Sequence, residues 1–233
     1  MTMPMADKLK ILAFDTSSGR GSVALLDGIE VHAELKLNHF GNHSANLIRS
    51  IDFLLERLGW TLRDLALVAV GTGPGSFTGI RIGIATGLGL AQALSIPFAG
   101  ISGMEALAYQ KIALDGCVGV LMNAQRSQVY YAEYRNHDGR MREIKKPSLM
   151  FLSDLKKVIG NRRIFLAGEP RLYGVTNSKT GWPRPVETNL FLAPGIGRRA
   201  LCVKQRWKSG DYVQCEPLYI RPPDALTNKR RAG

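Results

Sequence analysis

Residues 71–83 read GTGPGSFTGIRIG and directly follow the apolar run LALVAV at residues 65–70. A buried strand that ends in a glycine-rich turn opens either a phosphate-binding loop or a helix that packs unusually close to something else. A Walker loop needs GxxxxGK[ST], because its lysine meets the outer phosphates and its hydroxyl holds magnesium. No lysine lies between Lys36 and Lys111. A dinucleotide fingerprint starting at Gly71 needs glycine at position 76, where Ser76 stands. Both named phosphate loops are excluded, which leaves only the general pull of turn amides at a helix N-terminus on an anion.

The helix that follows, from about Thr78 to Leu94, repeats small residues at Gly79, Gly83, Gly87 and Ala91. An interior glycine costs about 1 kcal/mol relative to alanine, so this spacing implies that another backbone comes close. Two surfaces fit: the protein's own sheet, or a foreign helix. Isoleucines at 80, 82 and 84 and leucines at 88, 90 and 94 leave few polar residues on any face. A helix with one side on its sheet would still expose apolar surface, which favours a protein partner.

Outward from this stretch, KILAFDTSSG is a short strand and GSVALLDGIEVHAEL a hairpin with its turn at Asp27-Gly28. Leu47, Ile51, Leu54, Leu55 and Leu58 form the stripe of an amphipathic helix over 44–58, closed by Gly59. With LALVAVGTG and IPFAGIS as further strands, the alternation predicts parallel pairing with helical crossovers. From about Cys117 the pattern restarts: three strands, a short helix capped by Ser153, then the strand RRIFLAGE. A last helix is expected from about Pro194 to Trp207. The predicted architecture is α/β, with two tandem domains of mixed sheets, the second smaller. The domains are placed at 1–108 and 109–226, with 227–233 a disordered basic tail.

The 233 residues are 45% hydrophobic and 21% charged, the balance of a folded domain. No uninterrupted apolar stretch reaches membrane-span length and the N-terminus lacks signal-peptide character, so a cytoplasmic location is expected. Cys117, Cys202 and Cys215 share no metal-ligand spacing. The net charge of +12 is unevenly spread: residues 1–109 hold 8 Lys/Arg against 9 Asp/Glu, and residues 110–233 hold 23 against 10. An acidic partner, nucleic acid or protein, suits the second half.

Taken together, ILAFDTSSGRGSVAL, HSANLIRSIDFLL, GTGPGSFTGIRIGIATGLGLAQAL, IPFAGISGMEALA and EPLYIR resemble the TsaB (YeaZ) family. Its members are bacterial partners in making threonylcarbamoyladenosine on tRNA. The resemblance is dense over about 11–110. It implies an actin-like (ASKHA) fold and a non-catalytic role: binding a TsaD-type enzyme as a heterodimer, with the ATPase TsaE, and tRNA through the complex. It also implies a homodimer when alone, and no tightly held cofactor, any ATP or ADP sitting at a partner interface.

On this reading the partner surface is formed by Leu47, Ile51, Leu54 and Leu55 of the first helix with Gly79, Ile80, Gly83, Gly87 and Ala91 of the second. The TsaD enzyme carries two metal-binding histidines in a segment of the form VNHMEGH. The matching residues here are ISGMEAL, with Gly103 and Leu107 at the histidine positions, so no metal is expected. His39 and His43 are spaced i, i+4 but lack an evident third ligand.

Asp15, Thr16 and Ser17 stand where actin-like ATPases place their first phosphate loop. They are either a nucleotide loop or the cap of a hairpin turn. Where the family reads DARRxEVY, this chain reads NAQRSQVY, with Asn123, Gln125 and Gln128 replacing charged residues. Lys145, Lys146, Arg162 and Arg163 are the expected tRNA contacts. The alternatives are a small actin-like ATPase or peptidase, and an RNA-binding module acting alone. No Ser/His/Asp or HExxH pattern supports the peptidase.

Overall fold

The computed structural model describes residues 9–38, 43–160, 162–169, 183–203 and 216–221. The chain divides into two compact units, Met1–Ala106 with Phe191–Leu218, and Leu107–Leu190 with Tyr219–Gly233.

In the first unit, β1 (Lys10–Asp15), β2 (Arg20–Asp27) and β3 (Glu30–Asn38) form an antiparallel meander. Strands β4 (Leu67–Gly71) and β5 (Phe98–Ile101) add in parallel, giving the order β3-β2-β1-β4-β5. The β2–β3 hairpin turns at Gly28, whose φ of 60° suits glycine, one residue later than its sequence suggested. Helices α1 (His43–Leu58) and α2 (Phe77–Leu94) pack on one face of this sheet, against Leu12, Phe14, Val23, Leu25, Val68, Val70 and Phe98. Helix α3 (Gly103–Tyr109) follows β5.

The second unit repeats the topology. Strands β6 (Gly116–Asn123), β7 (Gln128–His137) and β8 (Arg140–Phe151) are antiparallel, while β9 (Phe165–Gly168) and β10 (Arg184–Pro185) run parallel to β6. The sheet order β10-β9-β6-β7-β8 is that of the first sheet, element for element. Helix α4 (Leu152–Ile159) packs Leu155 and Ile159 onto Val129, Tyr131 and Leu166. Ser153, expected as its cap, lies in its first turn instead.

The last helix, α5 (Ala193–Cys202), departs from the expected division at 108/109, because it belongs to the first unit. A sheet with buried parallel strands needs a cover on both faces, and α1 and α2 cover only one. Helix α5 supplies the other: Gly197 lies against Leu26 and Ala13, Ile196 meets Gly71, and the Ala193 amide donates to Ser22 Oγ at 3.0 Å. Its predicted continuation to Trp207 and the 227–233 tail fall outside the described residues.

The partner surface expected from sequence is also corrected. Leu47, Ile51, Leu54, Leu55, Gly79, Ile80, Gly83, Gly87 and Ala91 are all buried within the first unit. The small residues are needed because the sheet and the β1–β2 turn press on α2. A Cβ on Gly79 would run into the Thr16 carbonyl. One on Gly83 would lie 2.5 Å from Thr16 Oγ1, and one on Gly87 would lie 2.5 Å from Val70 Cγ2 and 2.8 Å from Phe98 Cε2. Among the described helices α2 alone is long and apolar enough to cross a membrane. As the crossover between parallel strands it lies on the sheet, and its apolar character serves the core.

Candidate functional site

The β1–β2 turn and the glycine-rich β4–α2 loop interlock. Ser76 N donates to Ser17 O at 2.6 Å, and Thr16 Oγ1 donates to Gly79 O at 2.7 Å. Ser76 caps α2, its Oγ accepting from Gly79 N at 3.2 Å. Gly75 is required by this contact, since a Cβ there would overlap the Ser17 carbonyl.

Asp15 is fully buried behind the two loops. Its Oδ1 accepts from Ser17 N at 3.2 Å and Ser17 Oγ at 2.7 Å, and its Oδ2 accepts from Ser18 Oγ at 3.1 Å. Burial pushes this carboxyl above the usual aspartate range, against the lowering effect of those hydrogen bonds. The structure thus brings Asp15, Thr16 and Ser17 together with the glycine stretch. Their polar atoms bind the turn and the helix start.

On α3, the residues at the metal positions do not fit a metal ion. Gly103 has no donor side chain and Leu107 is buried. The Glu105 carboxylate accepts from Arg199 of α5 at 2.6 Å. Among the described residues no group of three metal-ligating side chains converges. His39 lies outside the described residues, and of His43 only the backbone, in the first turn of α1, is described.

In the second unit, the expected tRNA contacts separate. Arg162 is committed to Glu133, with Nη1 2.8 Å from Oε2 and Nη2 2.7 Å from Oε1, and it also donates to the carbonyls of Val158 and Ile159. It is therefore a structural residue, a correction to its assignment as a phosphate ligand. Tyr131 donates to the same carboxylate at 2.8 Å. Burial alone would raise the Glu133 pKa, but the hydrogen bonds from Arg162 and Tyr131 outweigh it and hold the group low. Lys145 lies over the Tyr131 ring at 5.4 Å, while Lys146 and Arg163 are exposed.

The neutral residues that replace the family's charges hold the β6–β7 turn. Asn123 Oδ1 accepts from Gln125 N at 2.8 Å, and Gln128 Oε1 accepts from Arg221 of the EPLYIR segment. Gln125, Arg126 and Ser127 all have positive φ, near 50–60°.

Sequence reasoning missed the outer side of α2. Ala85, Gly89 and Ala93 are exposed, and Gly89 has open space where a Cβ would stand. They sit two positions beyond Gly83, Gly87 and Ala91, about 200° around the helix, so a second small-residue track runs opposite the buried one. The four-residue spacing was visible, but nothing in the sequence said which track faced the core. On α1, the outer side exposes Ile48 and Phe53, at 41% and 44%.

Comparison with known proteins agrees with this geometry. The family model for TsaD, tRNA N6-adenosine threonylcarbamoyltransferase, matches residues 40–173. The tRNA threonylcarbamoyladenosine biosynthesis protein TsaB of Bacillus subtilis is 34% identical over 146 residues, 63% of this chain and 64% of that protein. TsaB of Escherichia coli is 35% identical over 132 residues, 56% of this chain and 57% of that protein. The matches thus span about three fifths of these relatives' length. Among solved structures, YeaZ from Pseudomonas aeruginosa superposes with a TM-score of 0.72 at 25% identity, covering 91% of this chain and 99% of that one. The α/β architecture with two mixed sheets is shared with it. With more than half of its length under that family model, the chain belongs to the family of TsaD, tRNA N6-adenosine threonylcarbamoyltransferase, its likeness within that family being to TsaB (YeaZ).

Proposed function

We propose that this chain is a supporting, non-catalytic subunit in threonylcarbamoyladenosine formation on tRNA in the cytoplasm. It pairs with a TsaD-type enzyme, and a TsaE-type ATPase joins the pair. One observation carries this reading: α2 is sealed on its inner track but open on its outer one, where Ala85, Gly89 and Ala93 allow a foreign helix to approach closely. A TsaD-type enzyme is the fitting occupant because the family model spans α1 and α2, so that enzyme carries the corresponding helix pair. Two helices from each partner then form a four-helix seam. The same surface serves a homodimer when the enzyme is absent.

The chemistry falls to the partner, since Gly103, Leu107 and the Arg199-bound Glu105 offer no metal site. Any ATP or ADP acts at the subunit interface. A stand-alone ATPase fits less well, because the Asp15 oxygens are already taken by Ser17 and Ser18. Neither described histidine side chain supports a peptidase: His32 packs on Trp60, and His137 meets Asp115 and Asp138.

The test is Gly89→Leu combined with Ala85→Leu. Co-purification with the TsaD-type enzyme and threonylcarbamoyl transfer by the mixture should both be lost, with the melting temperature unchanged. A variant that still co-purifies and supports transfer would refute the outer track as the interface.

A further inference from the structure

We propose that the turn end of the β7–β8 hairpin binds the phosphate backbone of RNA through Arg135, Arg140 and Arg142. In the antiparallel register Arg135 lies directly opposite Arg142, and His137 directly opposite Arg140. Directly opposed residues project from the same face with Cβ atoms about 5 Å apart, and residues two apart on a strand are about 7 Å apart. Four basic side chains therefore form a two-by-two array, and all four are exposed. Like charges placed directly opposite one another destabilise a strand pair, so the Arg135–Arg142 pair favours an anion that offsets it.

Among the described residues, the acids that reach this array, Asp115 and Asp138, meet His137 and not the arginines. Among the described residues, none of the three arginines makes an ion pair. Glu133 is held by Arg162 and Tyr131, while Asp115 and Asp138 balance His137 at the tip of the array and leave Arg135 and Arg142 facing each other. Glu143 pairs with Tyr134, one register step from Arg142, and so points to the opposite face. Among the described residues Arg135 meets the weak acceptor Cys117 Sγ, at 3.5 Å. Lys145, opposite Glu133, extends the same face.

A row of phosphodiesters suits this array, because each guanidinium fork can grip one phosphate and successive phosphates repeat along the chain. An acidic protein segment would need a buried apolar anchor, and none of the directly opposed positions provides one. The choice of tRNA as the RNA rests on the proposed role in its modification. Of the residues expected from sequence, Lys145 lies on this face, while Arg162 is committed to Glu133.

The experiment measures binding of the full chain to an in vitro transcribed tRNA by fluorescence anisotropy across a salt series. Arg135→Glu with Arg142→Glu should weaken binding at low salt by about tenfold or more and flatten the log–log salt dependence by about one to two. Co-purification with the TsaD-type enzyme should persist, which separates this site from the α2 interface. Should the double variant melt early, Arg142→Gln alone, on the edge strand, should weaken binding about threefold. Wild-type affinity in the folded variants would overturn the proposal. So would polyglutamate of matched charge displacing the wild-type complex as well as unlabelled tRNA does.

Discussion

The two units share one strand order, yet each buries a carboxylate of opposite character. In the first, no cation among the described residues pairs with Asp15, and burial raises its pKa above its ordinary 3.8. In the second, Glu133 is also buried, but the Arg162 fork and the Tyr131 hydroxyl hold it below 4.5. The same topology thus uses an acid in two ways: as a turn cap held by hydroxyls and amides, and as one half of an ion pair. The β1–β2 turn holds its carboxyl without a cation because Ser17 and Ser18 donate to it, while burial under the glycine loop favours the uncharged form. The β6–β7 turn, with Gln125, Arg126 and Ser127 exposed and at positive φ, has no such cover described.

The largest effect should come from filling the contact that distinguishes the first unit. Gly87→Leu would drive a side chain into Val70 and Phe98. It should abolish cooperative thermal unfolding of that unit, a loss of about 4 kcal/mol or more. A folded Gly87→Leu monomer would mean that the sheet is not the surface α2 approaches.

Next comes Arg162→Ala, which leaves Glu133 buried without its cation. Chemical denaturation should report a loss of about 2 kcal/mol, less than for a fully buried pair because Arg162 is 48% exposed.

The pH response should separate the units. Glu133 has a lowered folded pKa, so the stability it contributes is present above 4.5 and lost as pH falls through the folded value. Asp15 has a raised folded pKa, so the first unit loses stability as pH rises from 3.8 towards that value, and regains it on acidification. Hydrogen exchange during acid titration should therefore show β6–β8 opening before β1–β4. The reverse order would break the comparison.

Smaller effects test the outer track and the second turn. Gly89→Ala should stabilise the protein by about 1 kcal/mol, because its Cβ meets nothing. Gly87→Ala, two residues away, should destabilise it. Gln128→Glu should convert the Arg221 contact into an ion pair and raise stability by about 0.5 kcal/mol in a thermal melt.

Much of the fold was legible in the residues. The apolar runs of β1 and β4, the stripe Leu47–Ile51–Leu54–Leu55 and the restart at Cys117 placed nearly every described element, because period and turn chemistry are local properties. The site was legible only in outline. Gly79, Gly83 and Gly87 announced a close approach, but whether it was to a sheet or to a foreign helix depends on rotation about the helix axis. The partner of Arg162 was equally hidden, since Glu133 lies 29 positions away in sequence.

The sequence by itself determined the order of strands and helices, the exclusion of lysine-bearing phosphate loops and of a histidine metal pair on α3, and the concentration of basic charge in the second half. Only the tertiary structure decided that α5 returns to cover the open face of the first sheet, that the inner glycine track belongs to the core, and that Arg135 faces Arg142 across a hairpin. These are relations between distant segments, set by which faces must be buried together, and no local pattern of residues encodes them.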